Sequence, residues 1–509
     1  MAIVQSLLLI AGFCLQANLL LGNIVSAHEN IDLPESVPLV HPANFSETTP
    51  VNTSWLWRKS FYSLNPDVAK ALRPLFDYQF VLPEQSLRAG LGYVGAARRL
   101  RKFVTDLLEG SRTLKIGVVG GSISHGMIAS NRGVTDWFSI FVKWLTSVTK
   151  AEVKSLNGCR PATPSSYMVF CMEHSVDPEV DLIVIEYSLN DGFDDSIAKN
   201  SIVMGKEQLV RRLMKLTNQP AVVFLQVPHV WPHYVHPFYY TPEDVEGALV
   251  AYYDVQTVSL RTSMFLLNLH NPTPGFLWNE TYSNRHPMDT GHKAMADLVI
   301  HLIQEVAVGL YTWPISEEEV SWRKMPLPPP MHEGNYEPTS ATCLVVEAFA
   351  NLSIFSEGWQ WINEGTDTKP KWGFVSTIPG SELILRLGRP GVNGLAAAAV
   401  VKNATFPLLM HYLGSYTSMG QADVDCLGGC YCQARLDGWM SLPNGVKATV
   451  TRMALIDVTW KNQSLPCDLR LTVLNETSSD GHKFKVSGVV FASTNSLTSS
   501  HPVSTWTDF

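Results

Sequence analysis

The sequence predicts an α/β domain, a parallel sheet of about five strands between two layers of helices, followed by an all-β, sandwich-like C-terminal domain. Three observations carry this. Apolar runs alternate with amphipathic stretches between residues 86 and 315, a Pro-rich stretch follows at 316–338, and beyond it short apolar runs are separated by Gly, Asn and Asp. At 509 residues the chain exceeds what one hydrophobic core organises, so two folded domains are expected. Hydrophobic residues at 46% and charged ones at 17% describe a globular protein, not a disordered one.

Taken in order, residues 1–27 come first. Ile3 to Leu21 is mostly apolar and Val25-Ser26-Ala27 offers small residues for cleavage before His28, so this stretch reads as a signal peptide. The basic flank that such leaders carry is missing, because the first positive side chain is Arg58; an uncleaved N-terminal anchor is the alternative. No later stretch supplies the ~20 apolar residues that span a bilayer. Residues 28–85, rich in Pro, Ser, Thr and Asn, read as an extended segment. N-glycosylation sequons stand at Asn44, Asn52, Asn279, Asn351, Asn403, Asn462 and Asn475, and together with the leader they predict passage through the secretory pathway to an extracellular or lumenal site.

From 86 to 315 the expected strands are 115–119, 152–156, 181–187, 221–227 and 264–269, with helices near 89–109, 136–149, 205–218, 242–261 and 292–311. In the third of these helices Leu209, Leu213 and Leu216 fall at i, i+4 and i+7 and give one buried face. Strands apolar on both faces call for a parallel sheet covered on both sides, with ligands bound beyond the carboxyl ends of the strands. Residues 316–338 read as a linker and 339–492 as the β-rich domain, with runs at 382–388, 406–414, 447–458, 469–474 and 483–491; 493–509 is a Ser/Thr-rich tail. Of eight cysteines Cys14 falls in the leader. The odd number remaining leaves at least one unpaired in an oxidising compartment. Cys426-Leu-Gly-Gly-Cys-Tyr-Cys432 reads as a disulfide-stapled loop, since its spacing is not that of the usual zinc knuckles.

The net charge of -8 and the lack of Lys/Arg-rich blocks exclude nucleic acid as a partner. Chemistry is suggested by four segments that end strands on the same edge. Gly120-Gly121-Ser122 closes the first strand and throws a hydroxyl to the top of the sheet. Asn157-Gly158 follows the second, Ser188-Leu189-Asn190-Asp191 the third, and Arg285-His286-Pro287 precedes the last helix. Acyl transfer needs a nucleophile, a base and donors for the developing oxyanion. Ser122 supplies the first, His286 the second, and the Ser122 and Gly158 N–H groups with the Asn190 amide the third. That chemistry calls for no cofactor and no metal.

The ordered set, over about 110–312, resembles the SGNH hydrolase (GDSL-type esterase/lipase) superfamily, and the text Asn157-Gly-Cys-Arg-Pro-Ala-Thr-Pro-Ser-Ser-Tyr167 with His286-Pro-x-Asp-x-Gly-His292 is similar to a two-domain eukaryotic, algal-type branch of it. The resemblance implies a flavodoxin-like α/β/α sandwich and hydrolysis of carboxylic esters, glycan O-acetyl groups among them. Departures from the family pattern are Gly121 in place of Asp, Ser188 in place of Gly, and Ser283 where the family places its catalytic acid. Asp289 and His292 restore an Asp-x-x-His spacing six residues on and stand as the alternative acid and base, although His292 sits where the helix opens and is expected to pack or cap. A glycan O-acyltransferase with the same site, or a glycan-binding protein with a decayed esterase domain, are the competing readings.

Two aromatic clusters remain. In His229-Val-Trp-Pro-His233-Tyr-Val-His236 Pro232 forbids the regular helix that would align three metal ligands, so the segment, with Phe238, Tyr239 and Tyr240, reads as a wall of the substrate cleft or an inert packed loop. Trp359, Trp361 and Trp372 read as sandwich core before carbohydrate platform.

Overall fold

A computed structural model describes residues 66–492 apart from 193, 195, 197, 229–237, 239, 284, 339–340, 368–369, 389–404, 441–446 and 448. The expected leader, the tail at 493–509, the sequons at Asn44, Asn52 and Asn403, and the three clustered histidines lie outside the described residues.

The first sheet contains β1 (Leu91–Tyr93), β2 (Leu114–Gly120), β3 (Val153–Asn157), β4 (Leu182–Glu186), β5 (Ala221–Gln226) and β6 (Gln256–Ser259), in the spatial order β1-β6-β5-β4-β2-β3. Strands β2 to β6 run parallel, and β1 joins the β6 edge antiparallel. β4 and β5 are buried along their whole length, because alternate side chains serve two cores. Leu182 and Val184 pack with helices α1 (Pro66–Phe76), α2 (Arg98–Glu109), α3 (Trp137–Val148) and α7 (Asp289–Thr312). Ile183 and Ile185 pack with α4 (Ser165–Cys171), α5 (Ser201–Met214) and α6 (Gly247–Tyr253). The result is an α/β/α sandwich.

Several expectations about elements need correction, and the helices expected at 89–109 and 242–261 give up Leu91–Tyr93 to β1 and Gln256–Ser259 to β6. The fifth parallel strand lies at 256–259, not 264–269; the latter belongs to the helix Leu260–Phe265 and the single π-turn Leu266–His270 after it. Only Val258 marks the true strand as apolar, and Gln256 satisfies its side chain on the Val94 and Asp254 carbonyls at 3.0 and 2.9 Å. The segment read as extended to residue 85 already contains α1, whose Leu72, Leu75 and Phe76 enter the core, and a short helix Glu84–Ala89. The linker opens with α8 (Glu317–Lys324), capped by Ser316, and its Pro-rich part is strapped down. Buried Glu207 on α5 accepts from the Met331 and His332 N–H groups, from His332 Nδ1 and from Asn335 Nδ2, and Arg211 holds the Pro328 carbonyl at 2.7 Å.

The C-terminal domain is two antiparallel sheets. One orders Ser353–Glu357, Glu382–Gly388, Cys467–Val473, Gln421–Gly428 and Gln433–Asp437; the other contains Gln360–Asn363, Trp372–Ser376, Phe484–Ala492, Thr405–Gly414, Val450–Trp460 and Cys430–Tyr431, with Ala341–Val345 beside Phe484–Ala492. Period-2 alternation fills the space between them: Leu383, Leu385, Leu387, Leu469 and Leu471 meet Leu408, Met410, Ile456 and Val486. Trp359 is buried there, while Trp361 and Trp372 stack at the rim, ring centroids 5.9 Å apart, with Trp372 39% exposed. The outer face of the larger sheet sends Leu409, Met453 and Val490 into the core that covers α4. Disulfides join Cys171 to Cys343, Cys426 to Cys432 and Cys430 to Cys467, leaving Cys159 as a buried free thiol.

Candidate active site

The turn after β2 lifts Ser122 to the carboxyl edge of the sheet. Its backbone is closed by bonds from His125 N to Gly121 O (3.1 Å), Gly126 N to Ile123 O (2.9 Å) and Met127 N to Ser122 O (3.0 Å). From the other side a two-residue hairpin, β7 (Tyr282–Ser283) and β8 (His286–Pro287), presents His286 directly opposite Ser283. Gly291 lets this hairpin sit on the start of α7, because a Cβ there would lie 2.7 Å from the Thr281 carbonyl and 2.8 Å from Pro287 Cβ. The two half-buried side chains meet, with Ser122 Oγ 2.7 Å from His286 Nε2.

Asn190 ends the turn after β4, where its N–H and that of Asp191 both donate to the Tyr187 carbonyl, at 2.9 and 3.1 Å. Its side-chain amide is packed on the nucleophile turn so closely that a Cβ at Gly121 would sit 2.0 Å from Asn190 Oδ1. That contact leaves room only for glycine at position 121. Ser188, the other departure, both accepts from Val227 N at 2.8 Å and donates to Val227 O at 2.9 Å, tying the ends of β4 and β5 together.

Gly158 corrects the expected oxyanion set. Its N–H donates to the Val118 carbonyl at 2.9 Å, continuing the β2–β3 ladder by one rung, and is therefore not available to a substrate. Glycine is required there for a different reason: a Cβ would lie 1.9 Å from the Ser175 carbonyl oxygen. Cys159, the next residue, keeps a free thiol, and Cys171 is bonded to Cys343. Of the three expected donors, the Ser122 N–H and the Asn190 amide remain.

Asp289 and His292 are placed away from the Ser122 hydroxyl. His292 is buried, its Nδ1 accepting from Trp137 N and its Nε2 facing the Met127 carbonyl, each at 3.4 Å. Burial lowers its pKa and keeps the ring neutral. Asp289 accepts from Ser130 N at 2.8 Å, from the Ser130 hydroxyl and from Thr135 Oγ1 at 3.0 Å. Burial would raise its pKa, but these bonds outweigh it and the carboxyl ends below its usual range. Both residues thus clamp the 127–137 loop onto α7.

Sequence reasoning missed the polar groups beneath the edge. Ser124 Oγ takes a hydrogen bond from Trp137 Nε1 (3.0 Å) and donates to Glu186 (3.0 Å), and Asn157 Nδ2 donates to the Ser124 carbonyl at 2.8 Å. Buried Lys206 on α5 bridges Asp191 at 3.2 Å and Glu246, whose second oxygen accepts from Gln226 at 2.7 Å. Asp191 also caps α4 by accepting from Ser165 N at 2.6 Å. A lone acid ending an apolar strand, as Glu186 ends Leu-Ile-Val-Ile, is the signal that could have drawn attention to it. Among the described residues, the cysteines grouped closely enough for a metal, Cys426, Cys430 and Cys467, are all in disulfides.

No family model and no curated protein matches the chain by sequence. Its structure is similar to that of a two-domain esterase active on acetylated mannans. The form co-crystallised with mannopentaose aligns over 82% of this chain and 98% of its own at 17% identity with a TM-score of 0.55. A second structure of that esterase covers 80% of this chain and 98% of its own, at 17% identity and a TM-score of 0.56. The chain therefore shares the fold of that two-domain protein, an α/β/α sandwich followed by a β-sandwich.

Proposed function

We propose that the protein is a serine esterase that removes acyl groups, O-acetyl groups on glycans foremost, through an acyl-Ser122 intermediate. The observation that carries this is the 2.7 Å contact between Ser122 Oγ and His286 Nε2 at the carboxyl edge of the sheet. His286 Nε2 takes the hydroxyl proton as Oγ attacks the ester carbonyl, and the Ser122 N–H and Asn190 amide receive the oxyanion. Collapse expels the alcohol, protonated by His286; water, activated by the same nitrogen, then releases the acid and frees Ser122. The glycan substrate class is supported by what the structurally similar esterase acts on. Secretion is supported by the leader, by three disulfides and by the exposed sequon residues Asn279, Asn351, Asn462 and Asn475.

The test is active-site labelling. A fluorophosphonate is expected to label the wild type and p-nitrophenyl acetate to be turned over, with both signals lost in Ser122→Ala. Absence of labelling in the wild type, or equal labelling of the variant, overturns the enzyme reading. Acetylated glycan turnover with and without an acceptor sugar then distinguishes hydrolysis from acyl transfer.

A further inference from the structure

Glu186 closes β4, and its carboxyl lies under the turn that carries Ser122 with no solvent exposure. Oε2 accepts from Ser124 N–H at 3.2 Å and Ser124 Oγ–H at 3.0 Å, while the backbone carbonyl of Glu186 accepts from Gly121 N–H at 3.3 Å. A Cβ on Gly120 would lie 2.6 Å from that same carbonyl. The residues before and after Ser122 thus hang on one side chain and its backbone. Oε1 is buried without a hydrogen-bond partner among the described residues. The charged and titratable groups that act on the carboxyl are Lys206 on α5 and Asp191 beyond β4, with the Cys159 thiol past β3 and the adjacent Tyr187 phenol. Lys206 is already engaged by Asp191 and Glu246, so among the described residues Glu186 has no cation of its own.

We infer that Glu186 is a positioning residue that must be neutral for Ser122 to work: uncharged, it holds the nucleophile turn through Ser124; ionised, it sets an uncompensated negative charge beneath the groups that receive the oxyanion. The inference rests on Ser122 being the nucleophile. A buried carboxylate lacking a counter-ion is strongly disfavoured, and a second negative charge beside a forming oxyanion opposes it. Burial pushes the carboxyl up to about 8 against the pull of the Ser124 bonds. The activity of a serine–histidine esterase falls on the acid side as the base protonates and is otherwise level. An alkaline fall is therefore a separate signature, belonging to Glu186.

The experiment is kcat/KM against pH for the full chain, with p-nitrophenyl acetate, on the wild type, Glu186→Gln and Ser124→Ala, alongside fluorophosphonate labelling. One group titrating near 8 makes the wild type about tenfold slower at pH 9 than at pH 7. Glu186→Gln retains an acceptor for Ser124 but cannot ionise, so its activity at pH 7 stays within about threefold of the wild type and the alkaline fall disappears. Ser124→Ala removes a bond that favours the charged carboxyl, so its alkaline fall moves to higher pH. No Ser122 labelling overturns the nucleophile reading and this inference with it. A labelled enzyme with no alkaline fall, or one whose fall survives Glu186→Gln or stays in place in Ser124→Ala, overturns this inference alone.

Discussion

At Gly121 the absence of a side chain is a requirement of the site, because the space a Cβ would take already holds the Asn190 amide. A methyl group 2.0 Å from Asn190 Oδ1 cannot be accommodated by rotating a free end, since Asn190 is buried and its backbone is held by the Tyr187 carbonyl. Gly121→Ala is therefore expected to displace the amide from the oxyanion position while leaving Ser122 and His286 in place. Loss of one preorganised donor typically costs roughly 10²–10³ in kcat. The check is steady-state kinetics with p-nitrophenyl acetate beside a far-UV circular dichroism spectrum: kcat falls by about that factor while the spectrum is unchanged. Equal kcat values would show that Asn190 is not a donor. His286 presents a different case. Its hairpin partner Ser283 is exposed and carries a hydroxyl, so no carboxylate faces the imidazole from that position.

At the scale of elements, the site is assembled from strand ends held by polar bridges. Ser188 joins β4 to β5, Asn157 and Glu186 anchor the turn after β2, and Lys206 ties the turn after β4 to Glu246. Lys206→Met would leave the Asp191 and Glu246 carboxylates buried without their cation, and breaking such a pair costs about 3–5 kcal/mol. Burial holds the Glu246 carboxyl above its ordinary range even with Lys206 present, and losing the lysine raises it further. A group whose folded pKa is raised loses stability as pH rises through that pKa, so the deficit is smallest near the unfolded carboxyl value and grows toward neutrality. Urea denaturation of both proteins at pH 5 and pH 8 measures it; a deficit independent of pH would rule out the buried charge as its cause. These bridges also explain what could be read beforehand. Ser122 and Asn190 could be singled out because each follows the end of an apolar run, and His286 because it stands just before the last helix. Lys206 and Glu186 were not, since partners such as Glu246 and Ser124 lie tens of residues away, and Gly158 was read as a donor because what requires glycine there, the Ser175 carbonyl, is a tertiary neighbour. The parallel sheet followed from apolar runs except at 256–259, where polar side chains are satisfied inside the fold and periodicity has nothing to show.

At the scale of the whole molecule, α4 connects the β-sandwich to the site. Its first residue, Ser165, donates to Asp191 beside Asn190, and its last, Cys171, is bonded to Cys343 in the opening strand of the C-terminal domain. Between these ends Tyr167 packs against His411, ring centroids 5.1 Å apart, and Val169 and Phe170 share a core with Leu409, Met453 and Val490. The disulfide spans 172 residues, so it restricts the unfolded chain strongly, by about 5 kcal/mol on the chain-entropy account. The packing around it supplies further contacts between α4 and the sandwich. Cys343→Ser is thus expected to lower the thermal midpoint by several degrees, with kcat/KM at 25 °C kept within about twofold. Thiol titration checks the pairing directly. In a chain beginning at His28, wild type exposes one thiol on unfolding, that of buried Cys159, and the variant exposes two as Cys171 is released. A variant that melts with the wild type would mean that domain packing alone restrains the chain. One that loses activity at 25 °C while still folded would mean that α4 needs the bond to keep Asn190 in position.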